Sequence, residues 1–333
     1  MYLKPALAAA VFVILTNAAA VPRPRDETSS NRAAAGSGLT TQPAAGGIVA
    51  IGGGTLPDRI YKKILALSGR KEPRVLILPL ATSEPEASGV KAANRFRECG
   101  ATHVDWKHFK REQAEDNNIL DPIRNANIIY FPGGDQKRIL EIVKNTSAES
   151  AIRDVLSKGG VVGGTSAGCE VLGDLSLTGK SRLDLAVLGA SEVEPGLGLM
   201  NGVLFDQHFL RRGRFVRLVS GTLDNEKKIG IGVDESTAVL LANGSRNIEI
   251  VGDRQVIIIR TAADSTKAAG KTGDLARASN LKLHILAEGD RYHLDRDEVF
   301  FADDVRLAPP EVREIAEKVE STSRPARSDA DRK

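Results

Sequence analysis

The sequence predicts an α/β domain built on a mostly parallel sheet, with additional short strands toward the C-terminus. Two observations carry that prediction. Short apolar runs at residues 48–51, 75–78 and 127–131 are nearly continuous. They lack the alternation of a half-exposed strand, so both faces must be buried, as in a parallel sheet. Between the runs lie segments whose apolar residues recur at helical spacing.

The elements follow in order. The run at 48–51 ends in Gly52-Gly53-Gly54. Pro57 then opens a helix to about Leu67, because its fixed φ suits a first helical turn; Ile60, Ile64 and Leu67 fall on one face. Residues 75–78 form the next strand, and Pro85 opens a helix that reaches Cys99. Residues 102–106 and 127–131 read as further strands. One helix starts near Gln136 and another ends at Lys158-Gly159-Gly160, where glycine stops it. Val161-Val162 is a very short strand entering Gly163-Gly164-Thr165-Ser166. Residues 203–205 form a strand ending in Asp206-Gln207-His208, with a helix after it to about Ser220. Residues 229–233, 237–241, 248–251 and 256–260 read as short strands, some antiparallel, and 310–320 as a closing helix. There is no internal repeat, and residues 47–320 are read as one α/β domain.

The ends differ in composition. Lys4, an apolar stretch from Pro5 to Thr16 and a small-residue segment through Ala20 read as a signal peptide at 1–20. The apolar stretch is shorter than the roughly 20 residues of a membrane span. A secreted or periplasmic protein with no stable membrane insertion is therefore expected. Residues 21–46 read as a flexible leader and 321–333 as a disordered tail. Two cysteines, Cys99 and Cys169, do not make a disulfide framework. They are expected to be free and buried. Asn145 and Asn243 open glycosylation sequons.

Charge excludes one class of partner. With 46 Lys and Arg against 43 Asp and Glu, the chain lacks the uncompensated cations of a general nucleic-acid binder. Aromatic residues, at 4%, are too few for a base-stacking platform.

The chemistry concentrates at strand ends. Gly164-Thr165-Ser166-Ala167-Gly168 fits the nucleophile elbow, G-x-S-x-G. Small neighbours let a serine occupy a strained turn, and the Ala167 N–H then faces a developing oxyanion. The same residues also suit a glycine-rich turn with a capping serine. Phe131-Pro132-Gly133-Gly134-Asp135-Gln136 is a second glycine loop after a strand. It reads as a Gly134 N–H for the oxyanion with Gln136 on substrate, or as a tight turn with Asp135 capping a helix. His208 follows a strand, and Arg211, Arg212, Arg214 and Arg217 crowd behind it. Arginine suits bidentate carboxylate recognition, although a solvated charge run has the same composition. Glu235, also after a strand, is a candidate to orient the histidine.

These blocks occur in a fixed order together with Gly196-Leu197-Gly198-Leu199-Met200, Arg212-Gly213-Arg214 and Gly230-Ile231-Gly232-Val233-Asp234-Glu235. The set resembles the cyanophycinase family of serine peptidases, which also holds aspartyl dipeptidase E. The resemblance covers roughly residues 47–241. It implies a three-layer flavodoxin-like, class-I-glutamine-amidotransferase-like fold. It also implies Ser166 as nucleophile, His208 as base, Glu235 as orienting acid, and Gly134 and Ala167 as oxyanion donors. Gln136, Asp206, Gln207, Arg212, Arg214 and Arg217 match pocket positions. The implied substrate is cyanophycin or a related β-linked aspartyl peptide, cleaved to β-Asp-Arg, with α-aspartyl dipeptides as the alternative. Homodimerisation is implied as well, and no cofactor. Cys169 stands where the family usually has Ala, and reads as a packing residue.

Other readings weigh less. Residues 173–181 miss the P-loop spacing by one residue, and Gly52-Gly53-Gly54 lacks the third glycine of a dinucleotide fingerprint. No metal-ligand spacing occurs, so no metal is expected. An α/β-hydrolase esterase would use a late base, His284 or His293. A non-catalytic secreted binding protein on the same scaffold is the remaining alternative.

Overall fold

The structure, a computed structural model, describes residues 46–226 and 228–303. The expected signal peptide at 1–20, all but the last residue of the leader at 21–46, the helix at 310–320 and the tail at 321–333 lie outside the described residues.

The first half alternates strand and helix: β1 (Gly47–Ile51), α1 (Asp58–Leu67), β2 (Arg74–Ile77), α2 (Pro85–Glu98), β3 (His103–Trp106), α3 (Asn117–Asn125), β4 (Ile128–Phe131), α4 (Gln136–Val143), α5 (Ser147–Ser157) and β5 (Val161–Thr165). In space the strands run β1-β5-β4-β2-β3, and every adjacent pair is parallel. Parallel neighbours need crossovers, and the helices that supply them cover both faces. Val49, Ile51, Ile77 and Tyr130 pack onto Ile60, Ile64 and Phe96 of α1 and α2. Ile48, Ala50, Ile129 and Val162 point the other way, onto Ile123, Leu140 and Ile152 of α3, α4 and α5. Successive strand residues therefore both need apolar side chains. Cys99 and Cys169 are free, buried thiols on opposite faces of this sheet.

The second half comprises α6 (Ala167–Glu170), β6 (Gly173–Leu177), β7 (Val193–Pro195), β8 (Met200–Gln207), α7 (Phe215–Asp224), β9 (Ile229–Val233), β10 (Thr237–Ala242), β11 (Asn247–Gly252), β12 (Val256–Arg260), β13 (Thr266–Lys267), β14 (Ala278–Ser279), β15 (Lys282–Leu286), β16 (Arg291–His293) and β17 (Glu298–Phe300). β10, β11, β16 and β17 extend the first sheet antiparallel beyond β1. The strands β15-β12-β9-β8-β6-β7 form a second sheet, parallel only at β6–β8 and β8–β9, and β13 pairs with β14.

This second sheet is a layer that hydropathy did not separate from the first. Phe205, Ile231 and Val256 pack on Val239 and Ile250 of the first sheet. Its other face, with Leu204, Ile257 and Ile259, takes Leu218 of α7. α7 runs one turn beyond the expected Ser220, to Asp224. The P-loop-like stretch is β6 and the turn after it. α3 was also not anticipated: it contains Pro122, and Asp116 starts it by accepting the Asn118 N–H. Pro122 is the sixth residue of α3, past the first turn where proline is tolerated, so it has no N–H to donate to the Asn118 carbonyl.

Candidate active site

Ser166 sits at the junction of β5 and α6 with φ +55° and ψ −114°. A non-glycine residue in that region is strained, and it persists only where its surroundings hold it. The turn is tight enough to demand small neighbours. A Cβ on Gly164 would lie 2.6 Å from the Gly168 carbonyl carbon, and one on Gly168 would lie 2.2 Å from the Phe131 oxygen.

Three segments converge on the loop after β1. Ser166 N–H donates to the Ile51 carbonyl at 2.9 Å, His208 N–H to the Gly52 carbonyl at 2.8 Å, and Ser236 N–H to the Gly53 carbonyl at 2.8 Å. The side chains then meet. Ser166 Oγ lies 2.9 Å from His208 Nε2, and His208 Nδ1 lies 2.6 Å from Glu235 Oε1. A carboxylate facing Nδ1 keeps the proton there and leaves Nε2 free to accept from the serine. Gly133 passes close over the serine, since a Cβ on it would be 3.1 Å from Ser166 Cβ. Gly134 follows with φ +144°, and Ala167 is the first residue of α6. This arrangement can deprotonate a serine and offers main-chain donors beside it.

The histidine is mostly buried. Burial pushes its pKa below the ordinary value, the Arg212 and Arg214 cations push the same way, and the bond to Glu235 opposes them. Neutral His208 is the form that accepts a proton. Activity that depends on it is expected to rise with pH through a midpoint below about 6.5. Arg212→Ala removes one of the cations, so the midpoint moves up. Profiles of kcat/KM from pH 5 to 8 at low ionic strength check this. An unmoved midpoint would remove Arg212 from the histidine's electrostatics.

A cleft of about 560 Å³ opens beside Ser166, lined by Gln136, Gln207, Arg212, Arg214 and Arg217, with Lys180, Glu192 and Glu194 also along its walls. A larger hollow, about 650 Å³, lies over α2 and contains none of the expected site residues. Gln136 donates to the Leu177 carbonyl at 2.6 Å. Gln207 Oε1 lies 3.3 Å from Ser166 Oγ. Arg212 is exposed at the mouth. Arg214 donates to the Gln207 carbonyl at 2.8 Å.

Asp206 does not face the cleft. It is fully buried, and Arg217 grips it with two bonds of 2.8 and 2.5 Å. Its position on β8 turns it toward α7, so it acts on Arg217 and not on a ligand. His284 pairs with Asp297 at 2.9 Å and His293 accepts from Arg296 at 3.2 Å. Neither late histidine contacts Ser166, which leaves the esterase arrangement without a base. Among the described residues, no group of three or more His, Cys, Asp or Glu is placed to hold a metal ion.

Two features escaped the sequence reading. The glycines after β1, noted there only as a failed dinucleotide motif, lie directly against the catalytic-type side chains. A Cβ on Gly53 would meet the His208 ring at 2.4 Å, and one on Gly54 would meet Glu235 Cβ at 2.8 Å. Glu170 ends α6 fully buried. Its signal was a lone charge within the small and apolar stretch 167–172.

Comparison with known proteins bears on the family and the fold. A family model described as peptidase family S51 matches residues 48–249. A cyanophycinase from Geminocystis herdmanii is 32% identical over 74% of this chain and 93% of its own length. One from Synechococcus elongatus is 30% identical over 76% of this chain and 80% of its own. The crystal structure of a peptidase from an acI-B1 Actinobacterium superposes with a TM-score of 0.56 at 22% identity, covering 77% of this chain and 100% of that one. The fold is thus three-layer, flavodoxin-like and class-I-glutamine-amidotransferase-like.

Proposed function

The chain belongs to peptidase family S51, and from that premise we propose that it is a serine exopeptidase releasing β-Asp-Arg from cyanophycin or cleaving related β-linked aspartyl peptides. The observation that carries this reading is the continuous chain of hydrogen-bonding contacts Ser166–His208–Glu235 at the edge of a cleft walled by Arg and Gln. Cyanophycin is the polymer that the named relatives hydrolyse, and its carboxylate and guanidinium groups suit the mixed Arg, Gln and Glu lining.

The proposed sequence begins with Ser166 Oγ attacking the scissile carbonyl while its proton passes to His208 Nε2. Glu235 stabilises the resulting imidazolium. The Gly134 and Ala167 N–H groups hold the oxyanion. Collapse expels the amine, which takes the proton from His208 and leaves an acyl-enzyme on Ser166. Water, deprotonated by His208, then releases the acid. Arg212 and Arg214 are the proposed contacts for a substrate carboxylate, with Gln136 and Gln207 positioning the peptide. Export through residues 1–20 is part of the proposal. N-terminal sequencing of mature protein from the medium or periplasm tests it.

The substrate is tested by incubating purified protein with insoluble cyanophycin, β-Asp-Arg and Asp-Leu, and identifying products by mass. Release of β-Asp-Arg from the polymer is expected. Turnover of Asp-Leu alone would replace this substrate with α-aspartyl dipeptides and leave the peptidase class standing.

A further inference from the structure

Glu170 lies four residues after Ser166 with no exposed surface, and neither of its carboxyl oxygens has a hydrogen-bond partner. Its closest cation is Arg217, whose Nη2 is 3.7 Å from Oε1. That guanidinium is already committed: Nε and Nη2 donate to Asp206, and Nη1 donates to the Thr178 carbonyl at 3.2 Å. Glu170 is therefore a second carboxyl beside a cation that another carboxylate has taken.

Its surroundings are few. From β8 it faces Asp206 and the Gln207 amide, from α7 and its N-cap it faces Arg217 and Arg214, and Cys169 is its neighbour on α6. The other elements against α6 are β1, β4, β5, β6 and α4. Asp174 of β6 pairs with Lys228, Lys137 and Glu141 of α4 pair with each other, Arg138 of α4 is half-buried, and Tyr130 of β4 meets Phe96 edge-to-face on the other side of the sheet. β1 and β5 carry no ionisable side chain.

We propose that Glu170 sets the charge of the substrate pocket, acting as a neutral acid beneath Arg214 and Arg217. Protonated, it leaves Asp206, Arg214 and Arg217 with one net positive charge for a substrate carboxylate. Ionised, it cancels that charge. Burial, and then the charge of Asp206, push its pKa up to about 8, so the neutral form prevails at neutral pH. Burial pushes the Asp206 pKa up as well, opposed by Arg217 and Arg214. Of the two carboxyls, Asp206 holds the direct Arg217 bonds and Glu170 holds none, so Glu170 is the one assigned the proton. This inference rests on the acidic-substrate reading above.

The test uses full-length Ser166→Ala protein and succinyl-arginine, which is the β-Asp-Arg skeleton without its amino group. The probe has no group that titrates near pH 8. Calorimetry at pH 7, 8 and 9, in two buffers of different ionisation enthalpy, reads affinity and proton uptake together. Affinity is expected to fall about tenfold from pH 7 to 9, with close to half a proton taken up on binding at pH 8. Glu170→Gln in the same background should bind with a flat pH profile and no uptake. Binding without proton uptake in the parent protein overturns the Glu170 assignment and spares the pocket reading. So does an unchanged profile in Glu170→Gln. Absence of binding at every pH overturns both. Proton uptake is read in the parent protein, so the test holds even if Glu170→Gln does not fold.

Discussion

Ser166→Ala is expected to lower kcat on β-aspartyl substrate by about 10⁶-fold, because a nucleophile that works with its base as a unit cannot be partly replaced. The residual rate reflects what the pocket and the main-chain donors supply without a nucleophile, about 10³- to 10⁴-fold over water. The fold should be untouched. Alanine keeps the Cβ that already occupies the strained turn, and the Ser166 N–H bond to Ile51 needs no side chain. Turnover by mass spectrometry and a thermal melt check the two halves of the expectation. Labelling by a fluorophosphonate should disappear with the hydroxyl. Full hydrolysis by this variant would overturn the serine mechanism.

Gly53→Ala is expected to be the most damaging change at a residue that contributes no reacting atom. Gly53 has φ +105°, and the added Cβ would sit 2.4 Å from His208 Cε1 and 2.6 Å from Nε2. The backbone conformation alone costs alanine about 1–3 kcal/mol. The contact cannot be relieved at the far end of a flexible chain, because the ring is held by Ser166 on one nitrogen and Glu235 on the other. The imidazole must tilt or the loop must open. A displacement near 1 Å at a reacting group costs about 10²-fold, so kcat should fall by at least about that factor. KM should change little, because Gln136, Arg212 and Arg214 lie outside this loop. Steady-state kinetics separate the two constants. A variant with unchanged kcat would mean that the ring accommodates the methyl, and would remove Gly53 from the set of positioning residues.

The parallel half of the fold was legible because burial on both faces leaves a continuous apolar run. β1, β2 and β4 were read within about a residue of their observed positions for that reason. The second sheet was legible only in its inner strands: β9 and β12 were read at their observed positions and β8 in part, while β6, β7 and β15 were not. β6 reads Gly-Asp-Leu-Ser-Leu and β15 reads Lys-Leu-His-Ile-Leu, and their identity as strands comes from neighbours that hydropathy does not display. Ser166 was visible through its small flanking residues, and His208 and Glu235 through their places after strands. Asp206 was misjudged because strand parity, not identity, decides whether it faces the cleft or α7. Gly53 and Glu170 were hidden for opposite reasons: one acts only through the side chain it lacks, and the other only through the proton it holds.

The main-chain bonds from Ser166, His208 and Ser236 to the carbonyls of residues 51, 52 and 53 bear on how such an enzyme can diverge. Three consecutive residues, their Cα atoms about 3.8 Å apart, form a ruler whose carbonyls register Ser166, His208 and the residue after Glu235. Exchanging a pocket arginine leaves the ruler alone, so new substrates are open to single substitutions. Inserting or deleting one residue at the end of β1 displaces three marks at once. Loop grafting, the usual route to altered specificity in α/β enzymes, is closed at that strand and remains open at the Arg-bearing wall after β8.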